Sequence, residues 1–221
     1  MRGRRRAPGR RLPLCALLLT LASLSCVSKR VDVSLATLPP SPYSSSVHVA
    51  LALGRHGFYA PGGCAVDPAR GVRMELRDPS GSSRLLLLLL RDRAELISLR
   101  NGLTFSWSSA TEEMPFSSAD LWFLFTGTHP EGLRALRSTG EGFTYAEWKN
   151  SRGRFSCRLV PAPTPPPIYQ TADLIGPGGT QLRLTFKNTK SGDFPDTTFA
   201  SPPGLTPIAA PLAQVIQEAS P

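Results

Sequence analysis

Residues 72–107 read VRMELRDPSGSSRLLLLLLRDRAELISLRNGLTFSW. Turn chemistry separates four short apolar segments there: Asp78-Pro79-Ser80-Gly81, then charged Arg91-Asp92-Arg93, then Asn101-Gly102. Asn-Gly is the dipeptide that best supplies two φ > 0 residues, so the spacing predicts a two-residue type I′ hairpin before Leu103. Leu103, Phe105 and Trp107 alternate with Thr104 and Ser106, which gives that strand one dry and one wet face. The run Leu85 to Leu90 has no polar alternate, so both of its faces must meet apolar matter. The stretch predicts an antiparallel meander with something apolar lying on it.

Upstream, Val47, Val49, Leu51 and Leu53 alternate with His48, Ala50, Ala52 and Gly54 as a first strand. Gly57-Phe58-Tyr59 and Pro61-Gly62-Gly63 are expected to break the chain before a strand resumes at Cys64. Downstream of Trp107 the period changes. Ser117 followed by Asp120 three residues later predicts a helix start of the capping-box kind. The helix it opens carries Leu121, Trp122, Phe123, Leu124 and Phe125, leaving no polar face, so it must be buried all round. In a mostly antiparallel protein the place for it is the concave side of the sheet. His129 to Arg137 is expected to form a second short helix. Strands return at Phe143 and Tyr145, at Phe155, Cys157 and Leu159, and at Tyr169 to Ile175. The last alternation is Leu182, Leu184, Phe186 against Arg183, Thr185, Lys187. Pro161 to Pro167 is a connector, because each Pro removes a ladder donor. Residues 193–221 are Pro-rich and are expected to be a poorly ordered tail, with at most one amphipathic turn from Leu212 to Ile216.

The net charge of +9 over 221 residues is dominated by the amino terminus: six of the 25 basic residues precede Cys26, and no acidic residue does. From Cys26 onward, 19 basic residues face 16 acidic ones, and no stretch interleaves clustered cations with aromatics as a nucleic-acid binder would. MRGRRRAPGRR followed by LPLCALLLTLASLS has the layout of a secretory signal over residues 1–25, shorter than the roughly 20 apolar residues of a membrane span. Cys26 follows Ser23-Leu24-Ser25, a context that resembles a bacterial lipobox and also suits plain cleavage with secretion. Residues 26–46 would then be a lipid-anchored tether, 47–192 the folded domain and 193–221 the tail. Cys64 and Cys157 remain as an even pair in an exported chain; they can form one disulfide or stay as two buried thiols.

Little here points to catalysis. His48, His56 and His129 are scattered, with no metal-ligand spacing, and no nucleophile elbow or phosphate loop occurs. Glu112-Glu113 is a paired carboxylate in loop context, read as solvated. The expectation is a protein that is not an enzyme and needs no cofactor or metal.

RMELRDPSGSSRLLLLL, the Asn-Gly hairpin, the apolar helix SSADLWFLFTG and the final pair QTADLIGPGGTQLRLTFKN, together with Cys26, resemble the LolB-like outer-membrane lipoproteins over about residues 47–190. The resemblance implies a LolA/LolB-like fold: mostly β with short α, an open antiparallel half-barrel with short helices covering the concave face. It implies binding of lipid or lipoprotein acyl chains in an apolar cavity, in support of outer-membrane lipoprotein localisation or envelope assembly. It also implies membrane attachment through Cys26, an address at the outer membrane facing the periplasm, and a periplasmic carrier protein as partner. Candidate cavity walls are Leu103, Phe105, Trp107, Leu182, Leu184 and Phe186, with Leu121, Trp122 and Phe125 as lid. In that family the turn matching Asp78-Pro79-Ser80-Gly81 carries a protruding leucine implicated in cargo delivery; here Ser80 stands in its place. The competing expectation is a structural or assembly lipoprotein that docks a partner protein through a collapsed sheet.

Overall fold

A computed structural model describes residues 41–54, 56–130, 132–138, 142–164, 166 and 169–219. The expected signal segment, Cys26 and most of the tether lie outside the described residues. In chain order the elements are β1 (Tyr43–Leu53), β2 (His56–Asp67), β3 (Gly71–Arg77), β4 (Ser83–Leu89), β5 (Ala94–Ser98), β6 (Leu103–Trp107) and α1 (Ser118–Thr126). There follow β7 (Leu133–Ser138), β8 (Thr144–Asn150), β9 (Gly153–Pro161), β10 (Tyr169–Ile175), β11 (Gln181–Ser191), β12 (Ile208–Ala209) and α2 (Leu212–Ala219). All twelve strands form one sheet in the order β12-β6-β5-β4-β3-β2-β1-β11-β10-β9-β8-β7. Neighbours are antiparallel except β12 on β6. The end strands do not pair with each other, so the sheet is an open half-barrel, and α1 lies buried on its concave side.

β1 begins at Tyr43, four residues earlier than the alternation from Val47 predicts. The Ser44–Ser46 run holds strand form through a bulge, where the buried Ser45 hydroxyl donates to the Lys187 carbonyl at 2.8 Å. The expected breaks at 57–63 do not occur either: β2 runs unbroken through Pro61, Gly62 and Gly63. Up to Pro61 it pairs with β1 alone, β3 joining at Gly62, so the missing proline donor falls on a free edge. Gly62 is required by close packing, since a Cβ there would lie 2.2 Å from the Glu75 carbonyl oxygen, whereas at Gly63 the nearest atom is 4.0 Å away. Gly62→Ala is therefore expected to destabilise the protein by about 2–3 kcal/mol and Gly63→Ala to change little, as read from urea denaturation midpoints.

The hairpin before Leu103 differs from the predicted two-residue turn. Gly102 is left-handed (φ 76°) but Asn101 is not, and the Gly102 amide donates to the Ser98 carbonyl at 2.9 Å across a four-residue loop. The Leu99 amide is still engaged with the Arg84 carbonyl on the neighbouring strand, which pushes the reversal outward. A two-residue turn would pair Leu103 with Arg100; the observed ladder sets Ile97 against Thr104. That is a shift of two residues, so the inward set of β6 is unchanged.

The Leu85–Leu90 run is apolar on both faces for two separate reasons. Leu85, Leu87 and Leu89 enter the main core, whereas Leu86 and Leu88 join Ile97 in an outer cluster covered by Leu99 and Leu205. Leu205 belongs to the segment expected to be a disordered tail, and that expectation is corrected: residues 193–219 are a strap. Arg70 binds the Phe194 carbonyl and Asp196, and Arg73 binds the Thr198 and Ala200 carbonyls. The chain then passes over the outer cluster, pairs β12 with the exposed edge of β6, and turns inward so that Leu212 and Val215 of α2 reach the main core. The predicted amphipathic turn is α2, whose residues 212, 215 and 216 share one face.

One further expectation is corrected. His129–Arg137 does not form a helix; Leu133–Ser138 pairs with β8, whose edge hydrogen bonds outweigh a weak helical period. Of the two readings left open for Cys64 and Cys157, the structure has two free, buried thiols, on β2 and β9 with three strands between them. Burial pushes the Cys64 thiol up to about 12 and raises that of Cys157 as well.

Candidate functional site

The site is built on α1. Ser117 caps the helix as predicted: its hydroxyl accepts from the Asp120 amide at 3.1 Å, and the Asp120 carboxylate accepts from the Ser117 amide at 2.8 Å. Asp120 does more than cap. It is 2 % exposed, and its carboxylate also accepts from Trp148 Nε1 at 2.5 Å and Asn150 Nδ2 at 2.8 Å, so α1 and β8 meet at one buried acid. The other end is held by Tyr43, whose hydroxyl donates to the Phe125 carbonyl at 3.0 Å, and by left-handed Gly127 closing onto the Phe123 carbonyl. The preceding loop is fixed where Trp107 Nε1 donates to the Phe116 carbonyl at 2.9 Å. The helix is thus fastened at both ends, with Leu121 to Phe125 all buried between them.

Between α1 and the sheet remains a cavity of about 50 Å³ whose lining side chains are all apolar. Of the predicted wall and lid residues, Trp107, Leu121, Phe125, Leu182 and Leu184 line it. Phe186 is buried behind them with its ring 5.8 Å from that of Phe125, and Trp122 is buried away from the void. Leu103 and Phe105 are half-buried and pack on the core without reaching the cavity. The wall also extends to Val49, Leu51, Met74, Leu76, Leu87 and Leu96, none of them named as a wall residue from the sequence, and sequence reasoning missed Phe58, Met114 and Phe116 altogether. Phe58 sits in the segment read as a break, and Met114 and Phe116 sit in a loop without periodicity, so no pattern marked them.

A groove of about 480 Å³ lies at the rim, between Leu53, Pro115 and Thr180 on one side and Leu212, Ala213 and Ile216 of α2 on the other. Leu53 on β1 and Thr180 just before β11 are each two residues from cavity residues, Leu51 and Leu182, so the groove adjoins the void along the inward face of these strands. The first amide of α2 donates to Glu113 Oε2 at 2.6 Å.

Solved structures of similar architecture span most of this chain. A LolA superfamily protein from Nitrosomonas europaea is 13% identical, with 74% of this chain and 91% of that chain covered, at a TM-score of 0.49. An outer membrane lipoprotein-sorting protein domain from Vibrio parahaemolyticus is 10% identical, covering 72% and 89%, at 0.44. An uncharacterized conserved protein from Thermus thermophilus is 9% identical, covering 78% and 92%, at 0.42. These neighbours include LolA-superfamily proteins. No protein-family model and no curated protein matches the sequence.

Ser80 lies at the tip of the β3–β4 turn and faces back into it, its hydroxyl donating to Asp78 Oδ1 at 2.5 Å and to Ser82 Oγ at 3.1 Å. No apolar group projects from that position. The Asp78 carboxylate accepts from Ser80, from Arg84 Nε at 2.7 Å and from the Ser82 amide at 3.0 Å, which holds its pKa down at about 2. A depressed carboxylate stabilises the fold above its unfolded value near 4, and that contribution is lost as pH falls through 2. Asp78→Asn is expected to flatten the acid limb of the stability–pH profile between about pH 4 and pH 2, measured by denaturant unfolding across that range.

Proposed function

We propose that this chain is a non-catalytic binder of acyl chains, of lipids or lipoproteins, which it takes into the cavity between the sheet and α1. The observation that carries this is a void walled only by apolar side chains beneath a buried helix. At about 50 Å³ the void is the closed form, too small for an acyl chain until a wall moves. The energetics favour opening. Each CH₂ removed from water gains about 0.8 kcal/mol, so a chain of ordinary length supplies over ~10 kcal/mol gross. Lifting Leu212 and Val215 of α2 from the core forfeits about 3–6 kcal/mol. With α1 fastened at both ends, α2 is the element that yields.

We further assign the protein to the outer membrane, facing the periplasm, anchored through an acylated Cys26 and supplied by a periplasmic carrier protein, in lipoprotein sorting or envelope assembly. Intact mass of the exported protein tests the anchor: an unmodified Cys26 removes it. Titration with a fluorescent acyl-chain probe tests the cavity, with saturable uptake expected. No saturable uptake by the parent chain or by a variant with α2 released would leave docking of a partner protein in its place.

A further inference from the structure

The charges of the chain are sorted by position. Between Leu133 and Ser191 stand nine basic residues and three acidic ones, whereas the remainder from Cys26 onward carries ten basic and thirteen acidic. In the fold that basic segment is β7 to β11, five adjacent strands. Alternation sends Phe155, Leu159, Leu182 and Leu184 inward, so Arg154, Arg158, Arg183 and Lys187 face outward, joined by Arg137 and Lys149. Register places Arg137, Tyr145, Arg158, Asp173 and Arg183 opposite one another in turn, a row that continues through Ala50 to Tyr59. Steps along it are about 4.8 Å. Arg183 pairs with Asp173, and Arg158 lies over the Phe143 ring at 4.4 Å. Among the described residues no carboxylate is within ion-pair distance of Arg137, Lys149, Arg154 or Lys187.

A second observation falls on the same face. The large apolar side chains left exposed among the described residues are Tyr59 (68 %), Tyr145 (41 %), Ile175 (52 %) and Ile208 (53 %). Tyr145 and Ile175 project from the convex face of β7 to β11 among the cations, and Tyr59 from the same side on β2, beyond them. Cations spread over a broad face with tyrosine and an aliphatic group among them match the headgroup layer of an anionic bilayer, where the charge attracts and the amphipathic rings seat.

We propose that the convex face of β7 to β11 docks on an anionic phospholipid bilayer, with Tyr145 and Ile175 among the headgroups and Arg137, Arg158 and Lys187 supplying attraction. It is independent of the acyl-chain cavity, which opens on the other side of the sheet. The arginine-rich amino terminus also favours anionic vesicles, so the test needs a local readout. The native Trp107, Trp122 and Trp148 are buried; Tyr145→Trp in the full chain adds an exposed reporter. With vesicles of phosphatidylcholine containing about a quarter phosphatidylglycerol, its emission should shift to the blue and be quenched by acyl-brominated lipid. Pure phosphatidylcholine should produce neither effect. Adding Arg137→Glu, Arg158→Glu and Lys187→Glu should weaken the response about a hundredfold, and the same reversal at Arg77, Arg91 and Arg100 should leave it unchanged. High salt should reverse the shift without any further substitution. No local change on anionic vesicles, or an equal change on neutral ones, overturns the proposal. A response to polyglutamate but not to vesicles overturns it in favour of an acidic protein partner.

Discussion

Asp120→Ala is expected to be the most damaging single substitution in the domain, lowering stability by about 3–5 kcal/mol and the melting temperature by roughly 10 °C. The side chain is 2 % exposed, and three donors converge on it: the Ser117 amide, Trp148 Nε1 and Asn150 Nδ2. Alanine removes the acceptor and leaves the donors. Asn150 is half-buried and can turn to water, but Trp148 is 1 % exposed and its indole N–H has nowhere to go. Asp120→Asn should recover part of the loss, since one oxygen remains while the new amide group faces donors. Thermal melts of both variants, with near-UV dichroism to follow the Trp148 environment, check the ranking. Equal stability of parent and Asp120→Ala would mean that α1 is not held at its first turn.

Val215→Asp is expected to raise the rate of acyl-probe uptake at least about tenfold, because an unpaired carboxylate on the buried face of α2 is far more costly in place than in water. Val215 is 0 % exposed and Leu212 3 %, and these two side chains are the fully buried anchors of α2, with Ile216 packed partly on the core beside them. Ejecting the eight residues of α2 releases the rim while α1, pinned independently, stays. Stopped-flow uptake and a melting curve on the same variant separate the outcomes. Faster uptake with a largely retained melt supports entry past α2. A lower melt with unchanged uptake would make α2 a structural plug only.

Much of the architecture was legible because it rests on local patterns. The Ser117–Asp120 box and the all-apolar helix behind it announced both where α1 starts and that it must be inside. The even register shift at the β5–β6 loop shows why face assignments can survive a wrong turn type: alternation has period two, so only odd slips move Trp107 to the other side. What local pattern missed was long-range. Leu86 and Leu88 demanded an apolar cover, yet nothing near them supplies it; Leu205 does, from more than a hundred residues away and inside Pro-rich composition. Leu133–Ser138 becomes a strand because β8 offers it an edge. The cavity was half legible for the same reason: strand residues such as Leu182 and Leu184 followed alternation, whereas Phe116 reaches the void from a loop.

The order of strands sets when this protein can fold. β1, the earliest described strand, lies in the middle of the sheet, with Tyr43 paired to Ser191, and Val215, about 170 residues after Tyr43, also enters the core. Closing loops of that length is slow. A chain emerging from the ribosome amino terminus first therefore carries a half-sheet whose central edge, that of β1, stays unpaired until Gln181–Ser191 has been made.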